Sequence, residues 1–162
     1  PIDSANESVR SRIKHGIFKT GEFAENTFDL VTCFQTMEHV YEPLEICLEA
    51  HKILKPGGAC AFVCHDWRSL SVKVLGTRSP IFDLEHLQLF SQKSLKKLLS
   101  KANFKEVFVF PLINTYPLNY WIKLLPMPIG LKQLINGSLE KINLHQLPIR
   151  LPVGNIVGVG IK

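Results

Sequence analysis

Apolar residues recur along the chain in two alternating spacings, one typical of buried strands and one typical of amphipathic helices. The densest apolar run, at residues 28–34, predicts a strand that is covered on both faces, as in a parallel sheet. Residues 43–54 begin with a proline suited to a first helical turn and carry apolar residues at helical spacing. A second apolar run at 59–64 predicts the next strand. Residues 28–64 therefore predict one right-handed β-α-β unit.

The alternation extends to both sides of this unit. The polar residues 3–15 carry two apolar positions at helical spacing and are followed by Gly16, which predicts a short surface helix. The apolar pair at 17–18 predicts a short strand that runs into a loop. Downstream, residues 91–103 predict a helix and residues 106–110 predict a strand.

The last third of the chain departs from this rhythm. Residues 111–152 are apolar and aromatic, but prolines interrupt them, which predicts an insertion of short helices. The glycine-rich run at 154–161 predicts a final strand. We therefore expect one α/β domain with a core formed by residues 1–110 and 153–162, and with an apolar, proline-rich insertion or lid at 111–152.

Composition and charge narrow the classes of partner. The chain of 162 residues has a formal charge of +5, but its lysines and arginines are dispersed, so nucleic acid is not an expected partner. No apolar stretch reaches the ~20 residues of a membrane-spanning helix. The four cysteines lack the spacing of a metal site. They predict reduced, buried thiols in a cytoplasmic protein, and no metal is expected.

Four linked motifs resemble the seven-stranded, Rossmann-like methyltransferases that depend on S-adenosylmethionine. Residues 26–40 read NTFDLVTCFQTMEHV, and residues 54–58 read LKPGG. Residues 83–91 read DLEHLQLFS, and residues 102–104 read ANF, where many members have a small residue, glycine and phenylalanine. The resemblance implies a mostly parallel sheet with helices on both faces and an antiparallel final strand. It also implies that S-adenosylmethionine is the cofactor.

Two features of that family have no counterpart in this sequence: the glycine-rich loop after the first strand, and the acid after the second strand that holds the cofactor ribose. Residues 1–3 resemble the stretch just beyond that acid. We therefore interpret the chain as an N-terminally truncated methyltransferase domain that lacks its first two strands. The alternative is a non-catalytic fragment or degenerate module that acts by contact with a partner chain.

The resemblance places the cofactor site at the carboxyl ends of the strands, where ligands bind in open α/β sheets. Glu22 resembles the acid that accepts a hydrogen bond from the adenine amino group, and the backbone of Phe23 resembles the group that serves a ring nitrogen. A solvated loop acid is the alternative for Glu22. Phe34 and Gln35 resemble positions that line the methionine end of the cofactor, largely through the backbone.

The candidates for catalysis and acceptor binding come from the next loops. Glu38 and His39 can be interpreted as an acid and a base, or as residues that only fix the loop and cap the following helix. His65, Asp66 and Trp67 follow the second strand, where substrate-facing residues usually occur, and His65 is a second candidate base. Methyl transfer from a sulfonium rests largely on alignment, so no single side chain identifies the activity.

The choice of acceptor depends on the insertion. Its apolar, aromatic character predicts a small, partly hydrophobic acceptor, with Tyr120 and Trp121 as candidate contacts. The stretch 120–125 is interpreted either as a helical lid or as a peripheral contact with a membrane surface. A nucleic-acid methyltransferase is the weaker alternative, because residues 35–38 lack the loop that enzymes use for amino methylation of bases.

Overall fold

The structure, a computed structural model, describes residues 2–79, 81–125 and 127–162. At its centre is a four-stranded sheet with the order β1-β2-β4-β3. The strands are β1 Phe28–Phe34, β2 Leu54–His65, β3 Glu106–Pro117 and β4 Pro148–Ile161. Strands β1 and β2 are parallel, and β4 runs antiparallel to both β2 and β3. Three strands therefore share one direction and the last strand opposes them, which confirms the predicted fold class.

Six α-helices are described in these parts of the chain: α1 Glu7–Arg10, α2 Pro43–Ile53, α3 Leu70–Leu75, α4 Gln92–Lys101, α5 Leu118–Leu124 and α6 Ile129–Lys141. The predicted helices at 43–54 and 91–103 are confirmed, and their sequences explain their ends. Pro43 lies in the first turn of α2. Ser91 and Ser94 form a reciprocal capping box at the start of α4, and Asn103 follows its end with a left-handed φ of 68°.

The hydrophobic core lies between the sheet and helices α2 and α4. Phe62 of β2 is fully buried, as are Leu95 and Leu99 of α4 and Met37, which precedes α2. The cysteines are free thiols. Burial raises the pKa of Cys60 to about 11, which keeps this thiol protonated and unreactive at neutral pH.

At the start of the chain, the predicted surface helix is present but shorter than predicted, and the predicted strand is wrong. Residues 3–15 form only the 3-10 turn Ile2–Ser4 and the four-residue helix α1, and neither has a buried residue. A helix this short is not stable without packing. Residues 17–18 lie in a loop, because no strand in the described part of the chain lies beside them to form a ladder.

Strands β3 and β4 are longer than predicted. Their pairing continues from Asn114↔Leu151 to Pro117↔Pro148, inside the region where an insertion was expected. Helices α5 and α6 occupy the connection between these strands. The prolines at the end of this ribbon are tolerated because strand ends do not need every backbone donor.

Candidate functional site

The carboxyl ends of β1 and β2 lie side by side at one edge of the sheet. Gln35 follows β1 directly, has a left-handed φ of 46°, and donates its backbone N–H to Val63 of β2 at 2.8 Å. His65 is the last residue of β2. The Gln35 Nε2 and His65 Nε2 atoms are 3.3 Å apart. The structure therefore brings together two predicted site residues that are 30 positions apart in sequence.

Glu38 lies beneath this pair and is fully buried. The 3-10 turn Met37–His39 turns its side chain under the end of β2. Its Oε1 accepts the backbone N–H of His65 at 2.6 Å and lies 3.1 Å from the ring Nδ1 of the same residue. Burial by itself raises the pKa of Glu38, but the hydrogen bonds from the side chain and backbone of His65 outweigh it and hold this pKa below its usual value.

The hydrogen bonds of Glu38 define the tautomer of His65. An ionised carboxylate only accepts hydrogen bonds, so the Nδ1 of His65 carries the proton that Glu38 binds. In the neutral ring the Nε2 atom then carries the lone pair, which faces the side-chain amide nitrogen of Gln35 at 3.3 Å. The His65 side chain is 29% exposed, so a bound molecule can reach this nitrogen at the carboxyl end of β2.

Sequence adjacency had paired Glu38 with His39, whereas the structure pairs Glu38 with His65. The Nδ1 of His39 lies 2.9 Å from the carbonyl oxygen of Glu85. The His39 ring lies beside His86, with the ring centroids 4.8 Å apart, and His86 lies 5.5 Å from His65. Three imidazoles therefore line this part of the edge. His86 is held by its own loop, since its Nδ1 lies 2.7 Å from the carbonyl oxygen of Ile81.

A cleft of about 910 Å³ runs along the outer side of β1. The loop 16–20 lines one side of the cleft, and residues of β1 and α2 line the other. Strand β1 pairs only with β2 in the described part of the chain, so its other edge is free. Leu30 and Phe34 of β1 are 57% and 65% exposed. This edge of the sheet is therefore open to a further occupant.

The predicted adenine-binding residues lie in the loop beyond this cleft. Glu22 forms a salt bridge with Lys14 and accepts the backbone N–H of Lys19 at 3.2 Å, and these two hydrogen bonds lower its pKa. The ring of Phe23 packs edge-on against Phe28 of β1, at 5.3 Å between centroids. The loop itself is tethered to α2, because the backbone N–H of Gly21 donates to Glu49 at 2.8 Å.

Asp66 and Trp67 have different environments. Asp66 is buried, and its Oδ1 accepts the backbone N–H of Arg68 at 2.9 Å, which shapes the loop after β2. The backbone of Trp67 is held by Phe90 at 3.0 Å, but its ring is 44% exposed. The carboxylate of Asp66 is thus engaged in the loop, while Trp67 is partly exposed and has the guanidinium of Arg68 over its ring, 5.9 Å from the centroid.

The structure does not bring Tyr120 and Trp121 to the side of His65. They lie on α5, which follows β3, and β3 is two strands from β2, or roughly 10 Å across the sheet. Trp121 is buried, and its Nε1 donates to the carbonyl oxygen of Ile149 at 3.0 Å. Tyr120 packs on Tyr116 with the centroids 4.5 Å apart and remains 41% exposed.

Replacing Glu38 by glutamine is expected to flatten the pH dependence of stability. The folded pKa of Glu38 lies below its unfolded value of 4.5, so its ionised form adds stability above that pH. This contribution is lost as the pH falls through the folded pKa. Glu38→Gln should lower the free energy of unfolding at pH 7 by roughly 1 kcal/mol, because charge-assisted hydrogen bonds become neutral ones.

Urea denaturation of both proteins at several pH values between about 7 and 3 measures this difference. The control is Glu25→Gln, because Glu25 is 64% exposed and its contact with Lys52 spans 3.5 Å. The control should follow the wild-type curve. A Glu38→Gln protein that lost stability in acid as steeply as the wild type would contradict the prediction.

Comparisons with known proteins agree with this architecture. Residues 3–107 match a family model described as a methyltransferase domain. A ubiquinone biosynthesis O-methyltransferase from Aliivibrio fischeri is 28% identical over 104 residues, which is 57% of this chain and 44% of the relative. The chain thus spans less than half the length of the curated relatives that it matches.

Two solved structures are similar in fold. An S-adenosylmethionine-dependent methyltransferase from Thermotoga maritima superposes with a TM-score of 0.55 at 20% identity, over 87% of this chain and 59% of its own. Another from Archaeoglobus fulgidus superposes with a TM-score of 0.53 at 15% identity, over 86% of this chain and 62% of its own.

Proposed function

The chain belongs to the methyltransferase-domain family of S-adenosylmethionine-dependent, Rossmann-like proteins, and we propose that it takes part in methyl transfer to a small, partly hydrophobic acceptor. S-adenosylmethionine is the cofactor of this family. The observation that carries the proposal is the meeting of Gln35 and His65 at the carboxyl ends of two parallel strands, over the buried carboxylate of Glu38.

We propose that the cofactor lies across the carboxyl ends of β1 and β2. The backbone of Phe34 and Gln35 would face its methionine end, since both residues lie where β1 opens into its loop. Glu22 and Phe23 would hold the adenine ring after Glu22 exchanges Lys14 for the adenine amino group. The partial exposure of the Glu22 side chain, 17%, supports this exchange because the carboxylate is accessible from solvent.

His65 is the proposed base for an acceptor whose hydroxyl or amine still carries its proton. The cofactor supplies a methyl group on a positively charged sulfur. The Nε2 of His65 would accept the proton of an acceptor hydroxyl or amine placed beside it, and the side-chain amide of Gln35 would move aside. Glu38 stays hydrogen-bonded to Nδ1 and compensates the charge of the imidazolium. His39 is the weaker candidate because a backbone carbonyl, not a carboxylate, faces its Nδ1.

We propose that Trp67 contacts the acceptor by stacking, because its ring is exposed next to His65 and Asp66 in the chain. Tyr120 would contact only an acceptor long enough to extend across β4 and β3. Trp121 anchors α5 instead, since its ring is buried and its N–H is bound. The helices between β3 and β4 are the proposed lid or specificity element.

The free edge of β1 supports the proposal that the cofactor site is incomplete in this chain. The sequence has no glycine-rich loop after a strand, and the cleft beside β1 leaves that side of the site open. A cofactor loop brings backbone N–H groups close to the ligand, and without one the contacts are fewer. This chain alone should therefore bind the cofactor product weakly.

Calorimetric titration with S-adenosylhomocysteine tests the proposal on two proteins, this chain and the full product of its gene. We expect no measurable binding to this chain, and micromolar binding to the full product together with transfer of a radiolabelled methyl group. Micromolar binding by this chain would contradict the incomplete site. Absence of binding and of methyl transfer in both proteins would instead favour the second candidate function, a non-catalytic interaction module, for which the free edge of β1 offers a contact surface.

A further inference from the structure

The ribbon formed by β3 and β4 extends beyond the rest of the sheet. Strand β4 pairs with β2 only as far as His65↔Asn155, but it pairs with β3 as far as Pro117↔Pro148. Residues 148–154 therefore extend roughly 20 Å past the carboxyl end of β2. At the end of this ribbon is a helical hairpin, described for residues 118–125 and 127–147, which comprises α5 and α6. The hairpin therefore lies beyond the same end of the sheet as the candidate site, which is the end formed by the carboxyl ends of β1 and β2.

Aromatic packing holds the hairpin on the ribbon. Trp121 and Ile122 are buried, and Trp121 lies 5.3 Å from Tyr116 of β3 between ring centroids. Because these two side chains are buried, they are not available for the membrane contact that the sequence of residues 120–125 suggested. They attach α5 to the sheet instead.

The remainder of the hairpin leaves large apolar side chains in water. Helix α6 has no buried residue along its thirteen positions. Ile129 and Leu134 of α6 are 74% and 68% exposed, and Leu124 and Ile142 on either side of it are 58% and 61% exposed. Isolated exposed leucines are common on protein surfaces, but on α6 only Ile135 and Leu139 are half-buried, and the other three large apolar side chains are exposed.

Charge is distributed unevenly along the chain. From residue 107 to the C-terminus the only acid is Glu140, whereas five basic residues occur there: Lys123, Lys132, Lys141, Arg150 and Lys162. Three of these bases belong to the hairpin. The exposed apolar residues of the hairpin are therefore interspersed with lysines and accompanied by a single acid. This combination is complementary to a surface that is both apolar and negatively charged.

We propose that the helical hairpin docks on the surface of an anionic phospholipid bilayer. Ile129 and Leu134 would enter the boundary between headgroups and acyl chains, while Lys123 and Lys141 would contact the phosphates. Among the helices of residues 2–79, 81–125 and 127–162, none has the length and apolar character of a membrane-spanning segment. If the proposed methyl transfer is correct, the docked hairpin places the carboxyl ends of β1 and β2 next to the bilayer, from which an apolar acceptor can enter.

Flotation of this chain with lipid vesicles tests the docking, without cofactor or acceptor. Vesicles of phosphatidylcholine alone are compared with vesicles that contain about one-third phosphatidylglycerol, at roughly 0.05 and 0.5 M salt. We expect binding to the anionic vesicles, reduced by high salt. Ile129→Ser with Leu134→Ser should weaken this binding about tenfold or more, and Lys123→Gln with Lys141→Gln should weaken it several-fold.

The control is Leu84→Ser with Val74→Ser, which removes apolar side chains that are 99% and 77% exposed outside the hairpin. Circular dichroism confirms that each variant is folded. The docking is overturned if the anionic vesicles do not bind the chain, if the control variant loses as much affinity as the hairpin variant, or if the hairpin variant changes only self-association. Because no cofactor is present, a negative result leaves the titration with S-adenosylhomocysteine unaffected, and the reverse also holds.

Discussion

Replacing Gly160 by valine is expected to lower the free energy of unfolding by about 3 kcal/mol or more, because the site has no room for a side chain. A Cβ atom at this position would lie 2.6 Å from Cγ of Phe104 and 3.1 Å from the sulfur of Cys60. The Phe104 ring is 5% exposed and packs in the core, so it cannot move into solvent to make space. Strand β4 is also fixed on both sides, since β2 and β3 pair with it here.

Urea denaturation measures this loss as a lower midpoint at an unchanged slope. The matched control is Gly137→Ala in α6, where an added Cβ would meet no atom within 4 Å. Alanine favours a helix over glycine, so the control should gain roughly 0.5–1 kcal/mol. A Gly160→Val protein with the wild-type midpoint would show that this strand does not pack as closely as the structure indicates.

Replacing Phe62 by alanine is expected to lower the free energy of unfolding by about 3–5 kcal/mol, which is the typical loss for a buried aromatic ring. Phe62 is the largest side chain in the core that is fully buried, and it lies on β2, the strand that pairs with both β1 and β4. The cavity left by the ring would open beneath the cleft along β1. Because whole domains have a stability of only about 5–15 kcal/mol, this variant should be close to unfolding at 37 °C.

Thermal and urea unfolding of Phe62→Ala and Phe62→Leu distinguish the loss of stability caused by a cavity from the loss caused by any substitution at this position. Leucine keeps most of the apolar volume, so Phe62→Leu should cost less than about 1.5 kcal/mol. Equal losses in the two variants would contradict the cavity mechanism. Both variants retain His65 and Glu38, so their hydrogen bonds can be compared with those of the wild type once folding is confirmed.

The central β-α-β unit and α4 were predictable from the sequence because their signals are local. The apolar run of β1, the proline at the start of α2 and the serine cap of α4 each act within a few residues. The predictions that differ from the structure concern segments whose conformation depends on strands distant in sequence. Residues 17–18 have strand character, but no strand among the described residues lies beside them, and β3 continues to Pro117 because β4 pairs with it.

The candidate site was predictable in its location and only partly in its contacts. Gln35 and His65 each follow a strand of the predicted parallel pair, and the structure brings their side chains within 3.3 Å at the carboxyl ends of these strands. The partner of Glu38 was not predictable, because the turn Met37–His39 directs this side chain toward a residue 27 positions away and not toward its neighbour. Sequence adjacency suggested His39, which instead faces Glu85.

By itself the sequence determined the family, the strand directions implied by that family, and the lack of a glycine-rich loop in these 162 residues, since these follow from motifs read residue by residue. The tertiary structure decided which groups form hydrogen bonds with each other and which side chains remain exposed to solvent. Hydrogen bonds and burial depend on segments that are distant along the chain. That is why the pair formed by Glu38 and His65, the free edge of β1 and the exposed leucines of α6 became visible only in the folded protein.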